Sequence, residues 1–292
     1  MSNTFDRQRF VNTIKLDIAT NWRRFSKLFF AAMAGLSGLF LVFTINARNV
    51  GSADEFGDMI WGMVAMSYVV LGILLCMSGC YLFNNMKTKQ SRITFLALPS
   101  SNLEKFLSRY LMTTVGMVIT ALAALLAADV LRMLFGWIIG VHYWDSVFLK
   151  FFGCLWMLPQ AIGSEPTVVV NGMAQSLFAY RWLWLVLFLS WMLVSHAEFM
   201  LGGTVFRRHA MLLTILSMMI LSSIHFLLWP FHTSWVDLMF VGMDRKPGFD
   251  GGMPVGLFLT VAVNLAITAF CYWASFKLFC RSQVISRKWT NL

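Results

Sequence analysis

Tyr110 to Phe135 reads YLMTTVGMVITALAALLAADVLRMLF, and only Asp129 and Arg132 in it carry charge. A helix needs about 20 residues to cross a hydrocarbon core ~30 Å thick, and this stretch supplies them. Inside that core no water satisfies backbone amides, so a run of this length is expected as a helix, whose hydrogen bonds close within itself. Five more apolar blocks share this character: approximately Leu28–Ile45, Met59–Phe83, Leu183–Phe206, Met211–Phe231 and Pro254–Phe279. Across the 292 residues, 59% are hydrophobic and 12% charged, with a mean hydropathy of +0.70. A water-soluble fold has no place for that much apolar surface.

The fold expected is therefore an all-α membrane protein with six transmembrane helices in a domain spanning 28–279. A polar, charged segment precedes the first block and no small-residue cleavage site follows it closely, so the first helix is expected to remain in the protein. The five cysteines imply no disulfide framework, since four lie in or at the end of apolar blocks. Cys76 and Cys80 share one helix face without nearby His, the pattern of small packing residues.

Basic residues flanking spans stay on the cytoplasmic side, which makes their distribution a topology signal. Arg7, Arg9, Lys15, Arg23, Arg24 and Lys27 precede the first span, and Lys87, Lys89, Arg92, Lys105 and Arg109 lie between the second and third. Arg207 and Arg208 follow the fourth, and Lys277, Arg281, Arg287 and Lys288 close the chain. The other side has Arg48, Lys150, Arg181, Arg245 and Lys246, and it collects acids such as Asp54, Glu55, Asp58, Asp145 and Glu165. Both termini are thus expected in the cytoplasm of a bacterial inner membrane. The formal charge of +10 is accounted for by topology without nucleic acid.

Phe10, Ile14, Ile18 and Trp22 recur every four residues among basic ones, which predicts an amphipathic elbow helix over 1–27 lying in the lipid interface. Residues 280–292 read as a basic cytoplasmic tail. Between spans two and three, Leu98-Pro99-Ser100-Ser101-Asn102-Leu103-Glu104 is a helix start: Pro99 ends what precedes it, and Ser101 with Glu104 forms a capping box. The loop 136–182 is long and partly apolar, and Val147–Leu158 within it predicts an outer interfacial or re-entrant helix. The turn-rich loop 244–252 lacks the ligand spacing of a calcium site.

Ionisable groups inside spans are costly, and two places hold them. Asp129 and Arg132, three apart, can pair on one face or line a passage. His196 and Glu198 in span four suit either a buried hydrogen bond or a substrate path. Catalytic signatures are missing: there is no phosphate loop, no zinc helix and no nucleophile elbow, and the five His are scattered. No enzymatic activity and no cofactor are expected of this chain.

Together these features resemble the permease subunit of an ABC-2 type transporter. Leu98-Pro99-Ser100-Ser101-Asn102-Leu103-Glu104-Lys105-Phe106-Leu107-Ser108-Arg109 is similar to the L-P-[AS]-S-x-x-E-K-F-L-x-R stretch of bacterial proteins in that group. Leu201-Gly202-Gly203-Thr204-Val205-Phe206-Arg207-Arg208 is similar to their L-G-G-x-x-F-R-[KR] ending of span four. The resemblance implies a coupling helix that docks on a separate ABC ATPase subunit, which binds ATP and Mg. It would place Ser101, Leu103, Glu104, Lys105, Phe106 and Arg109 at that contact, joined by the basic run from Lys87 to Arg92. It also implies a homodimer or a heterodimer with a second permease. The family usually carries its outer re-entrant helices between spans five and six, whereas the longest outer loop here lies between three and four. The rival readings are an ion-coupled carrier using Asp129 and Glu198, and an intramembrane enzyme or sensor.

The topology predicts that reporter fusions after Lys89, Arg208 and Leu292 read cytoplasmic and that fusions after Asp54, Gly163 and Gly248 read external. A cytoplasmic signal at Gly163 contradicts six spans.

Overall fold

The computed structural model describes residues 5–48, 50–83, 89–141, 143–154, 167–170, 173–176, 181–206, 209–228 and 255–281. They are overwhelmingly helical, and the chain divides into two compact units, Met1–Cys154 and Leu155–Leu292. Among the described residues five helices are long and apolar enough to cross a membrane, so the chain is a multi-pass membrane protein. Arg207, Arg208, Lys87, the loop 244–252 and residues 282–292 of the basic tail lie outside the described residues, as do 155–158 of the expected outer helix.

Unit 1 holds α1 (Arg7–Ala47), α2 (Ala53–Cys80), α3 (Lys89–Leu96) and α4 (Asn102–Ile138), followed by α5 at residues 147–154. The expected elbow and first span are one uninterrupted helix of 41 residues, about 60 Å long at 1.5 Å per residue. No Pro or Gly interrupts residues 7–34, so nothing in the sequence breaks its hydrogen-bond ladder at the expected boundary.

Helices α1 and α4 run parallel. Asp17 meets Arg109, Phe25 lies against Gly116, and Thr44 lies against Gly136, so the two chains advance together. Helix α2 runs the other way, with Gly62 beside Phe43 and Tyr81 beside Arg24. Leu36 and Phe40 of α1, Ile60 and Met63 of α2, and Ala124, Leu125 and Ala128 of α4 form the buried core. The small α4 residues let backbones approach closely, as membrane helix pairs require where lipid removes the hydrophobic drive for association.

The N-terminal half of α1 is inverted relative to a soluble amphipathic helix. Its buried stripe is polar, Thr13, Asp17 and Asn21, while Ile18 and Trp22 of the apolar stripe point outward. An outward apolar face with an inward polar one suits a lipid surround, and large exposed hydrophobics continue along α1, α2 and α4.

Unit 2 holds a short antiparallel hairpin, β1 (Thr167–Val170) with β2 (Met173–Ser176), in register from Thr167↔Ser176 to Val170↔Met173. The sequence reading had no strand there. The helices α6 (Arg181–Val205), α7 (Ala210–Leu228) and α8 (Val255–Arg281) follow. Contacts of Ser190 with Asn264 and of His196 with Tyr272 show that α6 and α8 are parallel. Helix α7 returns tightly against α6: a Cβ on Gly202 would overlap the Thr214 side chain, so only glycine fits that crossing.

Candidate functional site

Polar groups concentrate where α1 and α4 begin. Asp6 caps α1, accepting from the amides of Gln8 at 2.8 Å and Arg9 at 3.2 Å, bonds that hold its carboxyl below the usual range. Ser101 caps α4 in a complete capping box: its hydroxyl accepts from Glu104 N at 3.2 Å, and Glu104 Oε2 accepts from Ser101 N at 2.8 Å. The second oxygen of Glu104 reaches further than a capping box requires. Oε1 accepts from Asp6 N at 2.7 Å and from Arg9 at 3.3 Å, so one carboxylate ties together the starts of both helices. Burial raises the Glu104 carboxyl, but the amide bonds from Asp6 and Ser101, aided by Arg9, outweigh it and leave it below its ordinary value.

One turn on, Asp17 forms an ion pair with Arg109 at 3.1 Å and accepts from the Ser108 hydroxyl at 2.8 Å. Both ion-pair partners are buried. Helix α3 joins the same assembly. Lys105 Nζ donates to the carbonyl of Leu96, the last residue of α3, at 2.8 Å, a cation where the helix dipole is negative. The Arg109 guanidinium lies over the Phe95 ring at 4.9 Å, and Phe106 packs near Phe83 with ring centroids 6.2 Å apart.

Of the six residues expected at an ATPase contact, Glu104, Lys105, Phe106 and Arg109 are therefore buried within the chain; Ser101 is half-buried and Leu103 is exposed. Arg92 is buried as well. The surface this region offers outward is Gln90, Ile93, Thr94, Ala97, Pro99, Asn102 and Leu103.

Asp129 and Arg132 do pair, at 2.9 Å and nearly without exposure. The partners of Asp129 extend beyond its own helix: it accepts from Ser146 Oγ at 2.7 Å and from Phe148 N at 3.1 Å, while Ser146 Oγ accepts from Leu149 N at 3.1 Å. Ser146 and a carboxylate from α4 thus cap α5 together, with negative charge at its positive end. Arg132 donates to the carbonyl of Asp145, and Asp145 pairs with Lys150. Asp129 lies nine residues before Ile138, about 13 Å along the helix axis. The chain after α4 therefore doubles back along it, as a re-entrant segment does. Tyr68, well inside α2, stacks on Phe151 at 4.2 Å and donates to its carbonyl at 2.5 Å.

In unit 2, His196 Nδ1 lies 3.1 Å from Tyr272 Oη. Glu198, two residues on, is half-buried. They belong to a polar seam that sequence reasoning missed: Ser190, His196 and Thr204 on α6, with Thr260, Asn264, Thr268 and Ser275 on α8, are all buried. Asn264 donates to Ser190 at 3.0 Å and Thr268 to the Asn264 carbonyl at 2.8 Å. The signal was legible as the four-residue recurrence of Thr260, Asn264, Thr268 and Tyr272 in an apolar block. The Asn264–Ser190 bond crosses from α8 to α6, and such bonds hold membrane helices together. Among the described residues no group of three or more His, Cys, Asp or Glu converges to hold a metal.

Comparison with protein-family models, with curated proteins and with solved structures finds no match for this chain.

Removing the Asp129 charge strands the buried Arg132. Asp129→Asn is expected to cost on the order of 3 kcal/mol or more and Ser146→Ala about 1 kcal/mol, read as lowered unfolding midpoints in detergent. Equal midpoints for Asp129→Asn and the parent protein contradict the capping role.

Proposed function

We propose that this chain is the membrane subunit of an ABC-2-like transporter, with six spans, both termini in the cytoplasm of a bacterial inner membrane, and power drawn from a separately encoded ATPase. The observation that carries the reading is the assembly at the starts of α1 and α4, which would face the cytoplasm in that orientation. Its α4 residues lie within the stretch that resembles the family, from Leu98 to Arg109, and they join a short helix and α1 to α4 through polar contacts.

In this reading the partner touches the exposed residues Gln90, Ile93, Thr94, Ala97 and Leu103. The residues behind them carry the load. Displacement of α3 acts on α4 through Lys105 and Arg109, and on α1 through Asp17 and Glu104, so the parallel pair tilts as one body between inward and outward states. ATP and Mg are held by the partner, and a second permease, identical or not, completes the path. The polar seam between α6 and α8 favours a second reading, an ion-coupled carrier in which Glu198 takes part.

Purification from native membranes tests the first reading. An ATPase carrying a phosphate loop should accompany the chain, and Ile93→Asp with Leu103→Asp should weaken that association at least about tenfold, the scale of losing apolar contact residues at an interface. Substrate movement that survives ATP depletion but is abolished by a protonophore overturns it in favour of the carrier.

A further inference from the structure

Arg24 sits where the apolar stretch of α1 begins, half-buried, with its guanidinium over the Tyr81 ring at 4.5 Å. Among the described residues it has neither an acid partner nor a hydrogen bond. The sequence that follows Tyr81, residues 82–88, contains no Asp or Glu. The charges near it add to its own. Arg23 precedes it and Lys27 follows one turn on, both exposed, and Arg109 is already committed to Asp17.

A half-buried guanidinium with its planar donor fork unfilled is costly, and an aromatic face satisfies its charge but none of its N–H groups. The surroundings specify what fills it. Along α1, Ile18 and Trp22 point outward before Arg24, and Phe30 points outward after it, at 43%, 66% and 60% exposure. These side chains lie on other faces of α1 just before and just after the level of Arg24, so lipid surrounds the helix at that level and the anion that meets Arg24 carries hydrocarbon with it. Trp22 and Tyr81 are also the residue types that settle at the headgroup level of a bilayer.

We propose that Arg24, with Lys27 beside it, binds the phosphate of an anionic phospholipid, whose acyl chains lie along α1 past Phe30. Arginine suits this ligand because its fork meets two phosphate oxygens at once. Tyr81 holds the guanidinium in place, so the lipid bridges α1 to the end of α2. The inference is independent of any partner ATPase.

The test places the purified full chain in nanodiscs of phosphatidylcholine, with or without phosphatidylglycerol, and counts retained phosphatidylglycerol by native mass spectrometry. The protein is expected to retain phosphatidylglycerol in preference to phosphatidylcholine and to unfold at a higher temperature with it. Arg24→Gln should weaken retention about fivefold, the scale of one basic residue at an anionic surface. Arg24→Lys, which keeps the charge and loses the fork, should fall between the two and serves as the deciding variant if Arg24→Gln does not fold. No headgroup preference, or retention by the folded variants equal to that of the parent protein, overturns the proposal. So does inorganic phosphate stabilising the protein as much as phosphatidylglycerol, since the ligand would then be a soluble anion.

Discussion

Asp17 and Arg109 lie 3.1 Å apart with 2% and 6% of their surface exposed, and the arrangement of unit 1 depends on that contact. Two parallel helices with apolar faces can slide by a turn at little cost in dispersion energy. A buried ion pair removes that freedom, because a slip of one turn strands two charges away from water. The pair therefore sets which residues of α1 meet which residues of α4 along both helices. The same guanidinium holds Phe95, so α3 inherits its position from the same contact.

Two other places among the described residues repeat the rule that polar groups removed from water find partners inside the chain. Asp129 pairs with Arg132 and then spends its second oxygen on capping α5, which allows a helix to begin against the side of α4 instead of beyond its end. In unit 2 hydroxyl and amide groups do the work, with Asn264 bonding to Ser190 and Tyr272 meeting His196 between parallel helices. Outward, the surface is apolar, as expected where the solvent is lipid.

Much of this was legible beforehand because span length and composition are one-dimensional properties. Tyr110–Phe135 had to be a helix whatever surrounded it, and the capping box at Ser101 formed as the spacing predicts. Pairings between distant residues were not legible. The Phe10, Ile14, Ile18, Trp22 periodicity lies on the helix α1, but nothing local revealed that the polar face between them would be claimed by α4. Nor did Glu104, identified as a cap, disclose its bond to an amide 98 positions earlier. Asp129 and Arg132 were paired correctly from their spacing, while the third partner, α5, came from a loop whose path no periodicity specifies.

The account turns on α1 and α4 moving and standing as one body through Asp17 and Arg109. A double-substitution cycle measures this directly: Asp17→Asn, Arg109→Gln and both together, each followed by thermal unfolding in detergent. Breaking one side of a buried pair costs about 3–5 kcal/mol, largely because the other charge is left uncompensated. The account predicts two strongly destabilised single variants and a double variant appreciably more stable than the sum of the two losses. Strictly additive effects, with a double variant as unstable as that sum, would show that the two residues do not depend on each other and would contradict the account.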